Sequence, residues 1–340
     1  MDLSQIKYQE ENVQRYLADE NVLFYDSGRS AIKALISIIR KGKILLPSYL
    51  CKSVVSCFQD FRIDYYLVNE QFEINIESLE SKLDKTVTAV YIMHYFGVLQ
   101  KAEVLCCIKQ RQEEFHYIII EDTTHSFLTK KCTIGDYQVC SLRKWFAIPD
   151  GGILYSRKPF MPDNNCRQCN PNSAKILEAM LLKQMYIENK ANTNTLYRRI
   201  FAQQEENLDR QESVYALSEI SSVILECTNL NTVIRQRKRN WNYISKNLRT
   251  PYVLPVYRRI SDDTVPFAFL IKTENKDSFK NYMAENKIYC AFHWPVETEE
   301  QQKILVNLEL QEHILSLPID QRYGQEEMEY MIRVINSYRQ

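Results

Sequence analysis

The sequence predicts an α/β fold, with a large mainly parallel-sheet domain over residues 1–240 and a smaller C-terminal α+β domain over 241–340. Three observations predict it. Short β-rich runs alternate with helix-periodic stretches as far as residue 157. Runs such as YIII (117–120) are apolar without a break, as strands covered on both faces are. The pattern then changes, first to a charged helical middle and from about residue 248 to a mixed strand and helix pattern.

In chain order, the predicted strands of the first part are VLFY (22–25), KILLP (43–47), DYYLV (64–68), AVYIMHY (89–95), YIII (117–120), YQVCSL (137–142) and GILYSR (152–157). The helices between them are SAIKALISIIRKG, KSVVSCFQDF, IESLESKL and LQKAEVLCCIKQRQEE. Their apolar residues recur at three- and four-residue steps, as in Ile32, Leu35, Ile36 and Ile39. Gly42 stands where a helix C-cap is expected. Residues 172–247 read as charged helices, and the basic run Arg235, Arg237, Lys238, Arg239 reads as a solvated helix face. Beyond it, FAFLIKT, DSFKNYMAENK and IYCAFHW read as strand, helix and strand, with two more helices after them, the last being EEMEYMIRVINSYR.

Composition narrows the functional classes. Apolar residues make up 45% of the 340 and charged residues 25%, ordinary values for a chain with a sizeable core. Lys+Arg and Asp+Glu both number 43, so no basic excess points to nucleic acid or to an anionic membrane. No window approaches the ~18 apolar residues of a membrane span, and the polar start MDLSQIKYQEENVQRYLADEN lacks the apolar core of a signal peptide. The ten cysteines are scattered through core-like segments, which fits a reducing cytoplasm better than a secreted disulfide framework. Cys166 and Cys169 have CxxC spacing, but a zinc ribbon needs a second pair and a redox site needs a strand leading into a helix. No metal is expected.

Chemistry-bearing residues gather where predicted strands end, and in open α/β sheets that is where ligands bind. VLFY runs into Asp26-Ser27-Gly28-Arg29-Ser30 and then a helix, a turn that either offers amides to an anion or simply caps the helix through Ser27. YIII runs into Glu121-Asp122-Thr123-Thr124-His125, whose two acids could bind a metal, orient a base or lie in solvent. YQVCSL runs into Arg143-Lys144-Trp145 and then Pro149-Asp150-Gly151-Gly152. A lysine there is a surface charge, or, beside Arg143, Trp145 and Phe146, an amine suited to Schiff-base chemistry. Pyridoxal phosphate (PLP) enzymes need an anion cradle, a carboxylate for the ring nitrogen and a lysine. All three kinds occur here in that order.

The segments SGRSAIKAL, LLPSYLCKSVV, MHYFGV, IIEDTTHSF and SLRKWFAIPDGGIL resemble, in sequence order, the DegT/DnrJ/EryC1/StrS family of PLP-dependent aminotransferases. KIYCAFHWPV and ILSLPIDQRYGQEEMEYMIRVI extend the resemblance over about residues 20–338. It implies PLP fold type I, a homodimer, and transfer of an amino group from a glutamate-like donor to a keto or aldehyde acceptor such as a nucleotide-linked keto sugar. It further implies that Lys144 carries the cofactor, that Asp122 keeps the ring nitrogen protonated, and that His125 lies near the ring. Gly28, Arg29 and Ser30 match the phosphate turn, Ser141 matches a hydroxyl that also holds the phosphate, and His293, in His293-Trp294-Pro295, matches a residue near the substrate entrance. Without the resemblance, His293 reads equally well as a packed histidine.

The chain departs from the family pattern at three places. Ser141 stands three residues before Lys144, a shorter spacing than in the family's sugar aminotransferases. Cys51 stands at the position that often carries a ring-stacking aromatic, either Cys51 or the nearby Tyr49 lies at the ring, and Arg29 replaces a smaller residue. Two alternatives stand beside amino transfer. One is a PLP-binding homologue without turnover that acts as a regulatory or structural protein; the other is a PLP-dependent lyase. Lys144 argues against the sugar dehydratases of this fold, which carry histidine there.

Overall fold

The computed structural model describes residues 9–18, 21–130, 132–162, 168–294 and 312–339. The chain is α/β with a large, mostly parallel sheet, as expected. It divides into two compact units: residues 1–40 with 136–229, and residues 41–135 with 230–340.

The first unit holds β1 (Val22–Tyr25), β6 (Tyr137–Ser141) and β7 (Gly152–Ser156). β7 runs antiparallel to both β1 and β6. Helix α2 (Gly28–Ile36) follows β1 directly and buries Ala31, Ile32, Ala34 and Leu35. It stops six residues before Gly42, contrary to the expected cap. The Ser37 hydroxyl takes the Ala34 carbonyl (2.7 Å), an acceptor that another α-helical turn would need. Gly42 instead serves a close approach, since a Cβ there would lie 2.4 Å from Thr88 Cγ2. The helical middle contributes α6 (Ser173–Ile187), α7 (Asn194–Asp209) and α8 (Glu219–Cys227), and a short α1 (Val13–Tyr16) precedes β1.

The second unit holds β2 (Lys43–Pro47), β3 (Arg62–Tyr66), β4 (Val87–Met93) and β5 (Ile118–Asp122), all parallel, in the order β3-β2-β4-β5. β2 and β4 are buried along their whole length, which is why their sequences are mostly apolar and show no alternation. The crossovers are α3 (Lys52–Val55), α4 (Ile76–Glu80) and α5 (Ala102–Phe115). α9 (Leu230–Asn247) then leads to the antiparallel sheet β10-β9-β8, formed by Ile314–Leu317, Phe269–Lys272 and Leu254–Pro255. That sheet packs with α10 (Lys276–Glu285) and α11 (Gln325–Ser337) around Trp241, Phe269, Phe279, Leu315 and Met328. Each such side chain contributes roughly 1.5–3 kcal/mol by leaving water.

Three further expectations change. The predicted strand IYCAFHW is only a single bridge, Ala291 to Ser316. Its alternation is real, with Ile288 and Cys290 buried and Tyr289 75% exposed, but alternation reports burial and not a pairing partner. The strand is β10 instead. In the basic run of α9, Arg237 is 2% exposed, so that run is not simply a solvated face. The first of the two helices expected after residue 294 lies largely outside the described residues, as do Pro295, Cys166 and the polar N-terminal residues 1–8.

Candidate active site

In the first unit, strand register brings the predicted residues together. Tyr25, the end of β1, and Ser141, the end of β6, both stand opposite Gly152. A Cβ on Gly152 would lie 2.2 Å from the Ser27 carbonyl oxygen and 2.6 Å from the Gly28 nitrogen, so only glycine lets the turn pass. A Cβ on Gly28 would in turn lie 3.2 Å from Ser141 Cβ. The start of α2 and Ser141 are therefore in contact. Ser27 caps the helix, its hydroxyl accepting the Ser30 amide (3.1 Å). That leaves the amides of Gly28 and Arg29 as the first ones with no intrahelical acceptor, at the positive end of the helix dipole. The cap uses one amide and leaves those two.

The side chains around this turn are tied down. Arg29 reaches away to Asp209 (2.6 Å) and the Leu208 carbonyl (2.9 Å). Asp26 is buried and accepts from Asn170 (2.7 Å) and Gln211 (3.0 Å). Asp150 is buried and accepts from Ser173 (2.6 Å), from the Ser218 hydroxyl (2.7 Å) and amide (3.1 Å), and from Ser221. Lys144 ends the short 3-10 turn Leu142–Lys144 that follows β6. It is exposed, whereas Trp145 and Phe146 are buried at 1% and 5%. Those two buried rings anchor the turn that carries Lys144. Arg143 pairs with Glu205 (2.6 Å).

In the second unit, Asp122 ends β5 and is 3% exposed. Tyr91 donates its hydroxyl to Asp122 Oδ2 (2.7 Å), and the Thr124 amide donates to Oδ1 (2.8 Å). Burial pushes the carboxyl pKa up, and the hydrogen bonds from Thr124 and Tyr91 pull it only partly back. Its neighbour Glu121 points elsewhere and is fully buried. Glu121 accepts the amides of Thr133 (2.7 Å), Ile134 (3.0 Å) and Gly135 (2.8 Å) and contacts His94 Nε2 (3.1 Å). His94 Nδ1 accepts the Gln100 amide (3.0 Å), so Nε2 carries the proton given to Glu121. Burial alone would raise the Glu121 pKa, but these hydrogen bonds outweigh it and hold it at about 2. Glu121 is a structural anchor, and the two acids divide their roles. Among the described residues no group of three His, Cys, Asp or Glu is placed to hold a metal.

His125 is 2% exposed and lies among rings. Its imidazole stacks on Phe267 (centroids 4.2 Å apart, planes 15°) and lies near parallel to Trp294 (5.5 Å, 18°). His293 meets it edge-on at 5.7 Å. Tyr49 packs on the same Trp294 (5.1 Å), and its hydroxyl donates to the His293 carbonyl. Cys51 lies at the start of α3 and contacts Ser53 (3.1 Å). Asp122, His125, Tyr49 and His293 belong to the second unit, and Gly28, Arg29, Ser30, Ser141 and Lys144 to the first.

The model of the DegT/DnrJ/EryC1/StrS aminotransferase family matches residues 4–336. The chain belongs to this family. Over 135 residues it is 23% identical to dTDP-3-amino-3,6-dideoxy-alpha-D-galactopyranose transaminase of Aneurinibacillus thermoaerophilus, a match that spans 36% of each chain. The structure of a sugar aminotransferase from Micromonospora echinospora superposes with a TM-score of 0.67 at 13% identity, covering 96% of this chain and 89% of that one. A Streptococcus pneumoniae structure in its PLP form gives 0.65 at 12% identity, covering 95% and 88%. The expected family and fold are borne out, and DegT/DnrJ/EryC1/StrS aminotransferases are PLP enzymes.

Each unit by itself offers residue types that such a cofactor needs. Two helix-start amides beside a serine hydroxyl suit a phosphate. A buried carboxylate with donors on both oxygens suits a ring nitrogen that carries a proton. An exposed lysine just after Ser141 suits an aldehyde carbon. Reasoning from the sequence missed Tyr91 and Phe267. Tyr91 carried the only available signal, a hydroxyl in the middle of an otherwise apolar strand, where a buried phenol needs an acceptor.

Among the described residues no helix is long and apolar enough to cross a membrane.

Proposed function

We propose that this DegT/DnrJ/EryC1/StrS chain is a PLP-dependent aminotransferase. In this reading it moves an amino group from a glutamate-like amino acid to a keto or aldehyde carbon, with a nucleotide-linked keto sugar as the acceptor class. The observation that carries the reading is the contact of the Gly28–Ser30 helix start with Ser141, three residues ahead of Lys144. The amides of Gly28 and Arg29, with Ser30 and Ser141, hold the phosphate. Asp122, steadied by Tyr91 and Thr124, keeps a proton on the ring nitrogen, and that positive charge brings its own raised pKa back down. His125 lies beside the ring, Tyr49 helps to wall it, and His293 faces the substrate. When bound, the cofactor supplies an electron-withdrawing ring that stabilises negative charge on the carbon bearing the amino group. Lys144 Nζ would take the proton from that carbon and give it back on the far side of the shared nitrogen, to the cofactor's carbon.

The test is direct. The purified protein should absorb in the visible, and borohydride should fix the label to the Lys144 peptide. Adding L-glutamate should bleach that absorbance as the cofactor takes up the amino group. A label on another lysine overturns the site, and a protein that no amino acid bleaches overturns the activity.

Three coarser features complete the proposal. A homodimer is supported by the exposed apolar residues Leu181, Met185 and Ile187 of α6, 59%, 41% and 60% exposed, and by the prevalence of twofold assemblies. Sedimentation should give twice the 40.3 kDa chain mass, and a monomer at every concentration would sink it. A cytoplasmic place is supported by the described cysteines, all free thiols, and is checked by cell fractionation. The functional boundary at 240/241 is supported by one apolar cluster drawn from residues 241–338. Hydrogen exchange should find that cluster opening as one set.

A further inference from the structure

Arg237 lies on α9, far in sequence from every residue assigned above, and is 2% exposed. Burying a guanidinium is costly unless its donors are satisfied, and for stability alone well-packed apolar residues often serve as well. Its donors are spent on one short segment and its surroundings. Nη1 donates to the Phe267 carbonyl (3.0 Å) and the Pro266 carbonyl (3.4 Å), and Nε donates to Gln321 Oε1 (2.9 Å). The guanidinium carbon also lies 5.9 Å from the centre of the Phe267 ring. Burial brings the Arg237 pKa down to about 10, so the group stays cationic at neutral pH.

The segment it grips is fixed from other sides too. The Phe267 amide donates to the Phe96 carbonyl (3.1 Å), and the Val265 amide to Thr129 Oγ1 (2.9 Å). Gly97, at φ +99°, lets the segment come so close that a Cβ there would lie 2.4 Å from the Val265 oxygen. A backbone held this firmly leaves Phe267 little freedom. Its ring is the one stacked at 4.2 Å and 15° on His125. We propose that Arg237 is a positioning residue for His125: it fixes the Phe267 backbone, and through the Phe267 ring it sets the plane of the His125 imidazole. The functional consequence rests on the proposal that His125 lies beside the cofactor ring.

The experiment uses the full chain in two arms. In cofactor-free protein labelled with ¹³C-histidine, the His125 ring resonance is assigned by its loss in His125→Gln. Stacking on Phe267 should hold it upfield; Phe267→Leu should release it, Arg237→Met should release it in part, and Arg237→Lys should restore some of the shift. In PLP-loaded protein, Arg237→Met should lower the maximal rate of the L-glutamate half-reaction about ten- to hundredfold, the scale of a misplaced group near reacting atoms. The glutamate concentration giving half that rate should stay nearly unchanged. An Arg237→Met protein with a wild-type His125 resonance, or with a wild-type maximal rate per folded molecule, overturns the inference whatever its melting temperature. If Arg237→Met does not fold, Arg237→Lys and Phe267→Leu decide, and a wild-type resonance in both overturns it. A wild-type protein that turns over no amino donor removes the proposed function, while the resonance arm still judges the positioning.

Discussion

Lys144→Ala should leave a folded protein that no longer takes an amino group from L-glutamate at a measurable rate. Lys144 is exposed, and substitutions at exposed positions usually change stability by within about 0.5 kcal/mol. The two rings that anchor its turn, Trp145 and Phe146, are untouched. The catalytic loss is of another order. Positioned proton transfer alone contributes about 10²–10⁴-fold, and the substitution also removes the covalent hold on the cofactor. A fall of at least about 10⁴, or about 5.5 kcal/mol, is expected in the half-reaction rate, with the melting temperature within a few degrees of wild type. Stopped-flow absorbance and a thermal melt on the same sample check both. A variant that keeps a tenth of the wild-type rate would mean that another lysine does this work.

Asp122→Asn should retain PLP through the phosphate turn and Lys144, yet turn over about 10²-fold or more slowly, a loss of at least about 2.7 kcal/mol. The change conserves shape. Asparagine Oδ1 can accept the Thr124 amide, and its Nδ2 can donate to a Tyr91 hydroxyl that has rotated to accept. What disappears is the negative charge that keeps the ring nitrogen protonated. Unchanged turnover would remove Asp122 from that role. The cofactor-free protein offers an independent reading. Because the folded-state pKa of Asp122 is raised, the folded chain binds this proton more tightly than the unfolded chain does. Its contribution to stability is full below the ordinary carboxylate value of about 4 and is lost as pH rises through the raised value. Asparagine does not titrate, so the gap in unfolding free energy between variant and wild type should widen in the variant's favour as pH rises across that window. Urea titrations at a series of pH values measure it. A gap that stays constant with pH would show that burial does not perturb this carboxyl.

Much of this protein is legible in its amino-acid sequence. The strands β2, β4 and β5 are written around the runs ILL, AVYIM and III without polar alternation, because a parallel strand covered on both faces has no solvent side to mark. Ser27 and the small residues after it announce a helix start through their local hydrogen bonds, and the segments IIEDTTHSF and SLRKWFAIPDGG carry the family resemblance. These signals are local: each depends on neighbours within a turn or a strand. The tertiary structure decided what depends on distant partners. Gly152 is required because β1 and β6 both end against it, and no property of Gly152 itself says so. Glu121 and Asp122 are adjacent acids on one strand, yet opposite-facing side chains send one into a cradle of amides at 133–135 and the other to Tyr91. Arg237 sits in a run of charges that reads as solvated, and its burial follows from carbonyl acceptors 29 and 30 residues away in the chain. Hydrophobic periodicity reports which face of an element is dry. Which polar groups are buried there, and what satisfies them, is fixed only when distant segments close on one another.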